Sequence, residues 1–262
     1  MVTTSAALEA GLTPSTKIPA PPALPLPLST AVLHNFAGEQ CAGNPTTLAD
    51  ALRISCNTAF ADLGMRLGDD RLRAAAHAYD IGDSNLTIPL PVASSVFPDQ
   101  LDKAQTALSA IGQFDVALTP LQAAMIAGGV ANHGVVMKPY LVKELDGPDL
   151  QPVDTASPQQ LKRAISTAQA SELTSMMELV VQSGTGTAAQ IPGVRVAGKT
   201  GTAQHGKGQP PDVWFICFAP ADHPRVAVAV FLRNGGGAGP NATGGTVAAP
   251  IARAVMQAVL GQ

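Results

Sequence analysis

Residues 193–201, "GVRVAGKTG", admit two readings that exclude each other. The first eight fit the phosphate-cradling pattern G-x-x-x-x-G-K-[ST], with Gly193, Gly198, Lys199 and Thr200 in register. The last three, Lys199-Thr200-Gly201, suit instead the end of an edge strand whose lysine and bare backbone face a ligand laid alongside. A phosphate loop demands a buried strand, then a glycine-rich turn, then a helix that starts at the lysine, so that N–H groups and the helix dipole face the anion. Val194-Arg195-Val196-Ala197 alternates and is β-branched, which is strand where the turn should be. Downstream, "GTAQHGKGQPPD" (201–212) carries glycines and prolines that forbid a helix. The lysine does not serve a phosphate. A second nucleotide-like motif, "GTGTAA" (184–189), follows a helix rather than a strand and has no acid about 20 residues on, so it is discarded too.

Outward from this stretch, "VRVA" (194–197), "VWFICFA" (213–219) and "RVAVAVFLRN" (225–234) read as three successive strands. Short turns between them predict antiparallel sheet, and "GGTVAAPIARAVMQAVLG" (244–261) predicts a closing helix. Residues 1–183 read as mostly helical. "VTTSAALEA" is a helix entered halfway, without an N-terminal signal of its own and closed by Gly11. Residues 13–28 carry six prolines and must be extended. Helices are predicted through 46–80 from a Thr cap, over 119–134 with Pro120 at the first position, and over 170–183. Residues 81–100 read as loop, and "VVMKPYLVKEL" (135–145) as a strand pair or extended run. The class is α+β, with a mostly helical part (1–183) followed by antiparallel strands and a C-terminal helix (184–262).

Composition narrows the function. The 262 residues are 46% hydrophobic, enough for a substantial core. With 16 basic against 19 acidic residues the net charge is −3, and no Lys/Arg cluster occurs, which argues against nucleic acid and anionic membrane as partners. No apolar run is long enough to span a bilayer, and the start lacks a signal-peptide pattern. The three cysteines, Cys41, Cys56 and Cys217, form no C-x-x-C pair, so a zinc site has no support; they are buried thiols, or Cys41 and Cys56 form a bridge suited to an oxidising compartment. His133 and His205 belong to no G-x-S-x-G arrangement and read as surface or capping residues.

"SCNTAF" (55–60) contains the only S-x-N of the chain, Ser55 and Asn57, at the junction of two predicted helices. By itself it could be a helix cap. Together with a K-T-G element 144 residues later, it resembles the transpeptidase domain of class B penicillin-binding proteins, particularly actinobacterial ones of penicillin-binding protein A type. "TPLQAAMIAGGVANHG", "MKPYLV", "AGKTGTAQ", "WFICFAPA" and "ATGGTVAAPIARAVM" extend the resemblance over nearly the whole chain. It implies a penicillin-binding protein/serine β-lactamase-like fold, an antiparallel sheet flanked by helices, and peptidoglycan stem peptides and β-lactams as ligands. It implies no cofactor and no metal. Division or elongation proteins are implied as partners, and the extracytoplasmic face of the plasma membrane as the place of work.

By the same resemblance Ser55 relays a proton to the leaving nitrogen, Asn57 holds the substrate amide, and Lys199 supplies positive charge. Thr200 and Thr202 bind the substrate carboxylate, Gly201 lets it approach, and the Thr202 N–H forms half of an oxyanion hole. The family also needs S-x-x-K at the start of a helix, serine as nucleophile and lysine as base. Lys17, Lys103, Lys138, Lys143, Lys162, Lys199 and Lys207 all lack a serine three positions earlier. The expectation is therefore a chain that begins just after that motif, without the first sheet strands. It would form no covalent penicillin adduct, because Ser55 is expected to lack a neighbouring base, and the "RVAVAVFLRN" strand would be left as an open, aggregation-prone edge. Two alternatives remain: a non-catalytic module of this fold, and a β-lactamase. Class A β-lactamases carry an E-x-x-x-N element, and no glutamate here has asparagine four positions on.

Overall fold

The computed structural model describes residues 1–83, 86–206 and 208–262. Parts of the loop expected over 81–100 (Ser84, Asn85) and of the turn after K-T-G (Lys207) lie outside the described residues.

The first helix, α1 (Val2–Glu9), is buried from Thr3 through Leu8. Its small Thr, Ser and Ala side chains let the surrounding helices approach closely. The proline-rich stretch is extended, as its fixed φ angles require, in strands β1 (Lys17–Ile18) and β2 (Ala23–Pro25). These pair with β4 (Thr46–Thr47) and β3 (Val32–His34) respectively. Helices α2 (Leu48–Arg53), α3 (Asn57–Leu67) and α4 (Asp69–Ala78) follow. The Thr cap is Thr47, whose hydroxyl accepts from the Asp50 N–H at 3.0 Å.

Helix α5 (Lys103–Ala110) was not anticipated. The signal was present, because Asp102 and Gln105 form a reciprocal capping box. Helix α6 (Pro120–Ala131) starts as predicted, at a Thr119 cap with proline in its first turn. The run 135–145 splits between two separate two-stranded sheets rather than pairing with itself. Strand β5 (Val135–Met137) joins β8 (Gln160–Arg163), and β6 (Glu144–Asp146) joins β7 (Pro152–Thr155). Helix α7 (Thr167–Ser183) begins three residues before the expected start, because Ser166 and Gln169 form a second capping box.

The main sheet holds β9 (Ala197–Ala203), β10 (Asp212–Ala219) and β11 (Val226–Leu232), antiparallel, in the order β11-β10-β9. The strand read at 194–197 begins at Ala197 and runs through the K-T-G element. A turn bridged between Ile191 and Val194 occupies the residues before it. Lys199 is thus the third residue of a seven-residue strand, and β9 lies at a sheet edge, where a ligand can reach it. At the opposite edge, β11 has no further strand beyond it among the described residues.

The sheet separates two packed layers. Val213, Phe215 and Cys217 of β10 join Met256 of the last helix, α8 (Ala249–Leu260), in one core cluster. Ile216 and Phe218 face the helical cluster built around α1, α2, α6 and α7. A single π-turn, Gly244–Ala248, precedes α8 and lies across the β9–β10 ladder.

Candidate active site

Ser55 lies between the end of α2 and the start of α3, in the left-handed region with φ 59°, unusual for a residue with a Cβ. Three sets of bonds hold this junction. Cys56 donates its N–H to the Ala51 carbonyl at 2.9 Å. The Thr58 N–H, in the first turn of α3, donates to Asn35 Oδ1 at 3.0 Å. Cys56 is also bridged to Cys41, with Cα atoms 5.6 Å apart, which settles the alternatives left by the sequence in favour of the disulfide. Cys217 remains a free, buried thiol, pushed up to about 12 by burial. The Cys41–Cys56 bridge closes a loop with a separation of 15 residues, for which the chain-entropy model gives about 3 kcal/mol. Reduction is expected to lower stability by about that amount, read as a shift of the urea midpoint with and without reductant; an unchanged midpoint would contradict it.

The K-T-G strand meets this junction directly. Lys199 Nζ donates to Ser55 Oγ at 2.7 Å and to the Thr200 carbonyl at 2.8 Å. Lys199 keeps some surface in the cleft while its ammonium is enclosed by protein, and that burial lowers its pKa to about 8. The expectation that Ser55 lacks a neighbouring base is corrected here. The nearest amine belongs to Lys199, brought across 144 residues of sequence, and is depressed far enough to be partly neutral near pH 8. The sequence could not give that distance, because it arises only when the α2–α3 junction docks on β9.

The docking is built by residues that sequence reasoning passed over. Arg53, at the end of α2, donates to the Ser183 carbonyl at 2.9 Å, and its own carbonyl accepts from the Thr185 N–H at 3.2 Å. Thr185 Oγ1 in turn pairs with Thr200 Oγ1 at 2.7 Å. A chain of contacts thus runs from the residues beside Ser55, through the end of α7, to the K-T-G strand. Thr185 lies inside the discarded "GTGTAA" stretch, and its only sequence signal was the glycines on either side of it.

Ser55, Asn57, Lys199, Thr200, Gly201 and Thr202 all line one open cleft of about 1450 Å³. All six residues selected from the sequence are brought together. Gly201 faces Trp214 across the ladder, where an added Cβ would sit 3.1 Å from the Trp214 Cβ. The small residue therefore serves the sheet as well as any ligand. Trp214 stacks on Phe231 with ring centroids 4.4 Å apart, and both line the cleft, giving it an aromatic wall. His205 also lines the cleft and pairs with Asp212 at 3.0 Å, so it is a cleft-edge residue rather than simple surface. His133 is exposed at the end of α6, where its carbonyl accepts from Arg163. Among the described residues no group of His, Cys, Asp and Glu side chains is arranged to hold a metal, and no helix is long and apolar enough to cross a membrane.

Residues 1–257 match the family model for the penicillin binding protein transpeptidase domain. The chain is 47% identical over 264 residues to the peptidoglycan D,D-transpeptidase PbpA of Mycolicibacterium smegmatis, covering 99% of this chain and 53% of that protein. The PbpA of Mycobacterium tuberculosis is 47% identical over 267 residues, with the same coverage. The chain thus spans about half the length of these relatives. Among solved structures, penicillin-binding protein A from M. tuberculosis as a ceftriaxone acyl-enzyme complex superposes with a TM-score of 0.93 at 46% identity, over 99% of this chain and 59% of that one. The penicillin G acyl-enzyme complex gives a TM-score of 0.91, with 99% and 59% covered.

Proposed function

The chain belongs to the penicillin-binding protein transpeptidase domain family, and from that membership we propose that its cleft binds the D-Ala-D-Ala end of peptidoglycan stem peptides for serine-type acyl transfer. The observation that carries the reading is the 2.7 Å contact between Lys199 and Ser55 on the wall of an open cleft. It joins the K-T-G and S-x-N elements into one site.

In the reaction, a serine hydroxyl attacks the penultimate D-Ala carbonyl, an acyl-enzyme forms, D-Ala leaves, and an amine of a neighbouring strand takes the acyl group. A β-lactam mimics the dipeptide and halts at the acyl stage. Lys199 places its charge beside the substrate carboxylate, and Thr200 and Thr202 offer hydroxyl donors to it. Ser55 passes a proton to the leaving nitrogen, using its bond to Lys199, and Asn57 holds the substrate amide. The Thr202 N–H supplies one oxyanion donor from the exposed edge of β9. The nucleophile and its base belong to an S-x-x-K element that the 262 residues do not contain. The Cys41–Cys56 bridge supports an oxidising compartment and hence the extracytoplasmic face. The reading is tested by giving fluorescent penicillin to a form of the protein that carries S-x-x-K ahead of residue 1. Covalent labelling at that serine is expected, and a protein that stays unlabelled while folded would overturn the proposal.

A further inference from the structure

We propose that the β6–β7 hairpin and the groove against it form a docking surface for an extended segment of a partner protein, one that alternates basic and apolar residues. The surface shares no residue with the Ser55–Lys199 cleft, and the proposal does not rest on the transpeptidase reading.

Every residue of β6 and β7 is exposed, and the pair forms a sheet of its own with no third strand among the described residues. A two-stranded hairpin standing in water is marginal by itself. This one also displays apolar side chains. Of the fourteen large hydrophobics exposed among the described residues, six fall within 140–153: Tyr140, Leu141, Val142, Leu145, Leu150 and Val153. Leu145, Val153 and Leu150 are 51%, 70% and 79% exposed. Scattered singly such residues are ordinary, but gathered in one short stretch they mark an interaction site. A groove of about 470 Å³ lies against the hairpin, walled by Ile88, Pro89, Tyr140, Val142 and Leu145.

Backbone and charge together say what this surface takes. The outer edges of both strands are unpaired among the described residues, and an extended chain completes such an edge. Pro152 deprives β7 of a donor, whereas β6 has no proline, so β6 is the edge open to addition. From Glu144 to Leu161 the chain holds four acidic residues, Glu144, Asp146, Asp149 and Asp154, and no basic one. Among the described residues none of the four is in an ion pair. Along β6, Glu144 and Asp146 flank Leu145, so a segment that alternates basic and apolar residues matches the strand residue for residue. Lys138 and Lys143 also line the groove, which places the cations of the occupant over the hairpin and its apolar side chains in the groove. Four like charges argue against a second copy paired edge to edge through the same hairpin, and against an anionic lipid surface.

The test titrates fluorescein-labelled Lys-Val-Lys-Val-Lys-Val-Lys amide with the folded protein and follows fluorescence anisotropy. A saturable rise is expected. It should be absent for Glu-Val-Glu-Val-Glu-Val-Glu amide, and for the basic peptide N-methylated throughout, which offers the strand no backbone donors. Glu144→Lys combined with Asp146→Lys should exchange the preference, with the acidic peptide now binding and the basic one weakened at least about tenfold. Leu145→Ser combined with Val142→Ser should weaken the basic peptide by about tenfold. All four side chains are exposed, so both variants should keep the parent circular-dichroism melt. No saturable binding of the basic peptide, equal binding of the acidic one, or unchanged binding in both folded variants would overturn the proposal. So would a concentration-dependent dimer, or binding to phosphatidylglycerol vesicles, that those variants abolish. No arm of the test reads penicillin labelling, so the two readings fail separately.

Discussion

Lys199→Ala, in a form of the protein that carries the S-x-x-K element, is expected to abolish penicillin labelling and leave the fold in place. The side chain projects from the middle of an edge strand into an open cleft, and its ammonium donates to one hydroxyl, of Ser55, and one carbonyl, of Thr200. Alanine removes little packed volume there. The charge is another matter. It lies where the substrate carboxylate is expected, and losing a buried, hydrogen-bonded charge partner costs about 2.7–4 kcal/mol, or ~10²–10³-fold in acylation rate. Gel fluorescence after a timed exposure measures the loss, and a circular-dichroism melt measures the fold. Undiminished labelling would remove Lys199 from the site. A collapsed melt would make it a structural residue.

The second large effect falls on a residue that touches no substrate. Gly244 opens the π-turn that lies over the sheet. A Cβ there would collide with the Trp214 carbonyl and would sit 2.7 Å from the Gly201 carbonyl and 3.0 Å from the Gly201 nitrogen. All three are backbone atoms of β9 and β10, which cannot rotate away as a side-chain tip can. Gly244→Ala must therefore push the turn off the sheet or displace the K-T-G strand. Overpacking of this kind costs about 3 kcal/mol, a fall in melting temperature of roughly 6–12 °C for a chain of this size. Labelling by penicillin should fall with it, because Gly201 is the third residue of K-T-G. A melt within a degree or two of the parent would show that the turn is free to move.

These two sites differ in how far the sequence discloses them. Lys199 is legible, because the alternation of 194–197 and the glycines and prolines after 201 decide between strand and phosphate loop before any fold is known. Ser55 and Asn57 are legible as a motif, and the disulfide only as one of two alternatives. The strand's start is misplaced by three residues, since Val194 closes the turn bridged to Ile191, Arg195 next to it makes a two-bond ion contact with Glu178 of α7, and the ladder with β10 begins only at Ala197. Helix α5 was missed although Asp102 and Gln105 announced it. Thr185, Gly244 and the Lys199–Ser55 contact have no local signature. Each depends on chain segments that meet only after the sheet and the helical layer have packed, and distances of that kind are not encoded in spacing.

The central claim is that Ser55, Lys199 and the edge of β9 form a cleft for a D-Ala-D-Ala carboxylate. An amide-resolved NMR titration of the 262-residue chain with an N-acetylated peptide ending in D-Ala-D-Ala tests it most directly. The account predicts saturable shifts at Ser55, Asn57 and residues 199–202, lost when the terminal carboxylate is amidated. Shifts confined to other surfaces, or equal binding of the amidated peptide, would contradict it.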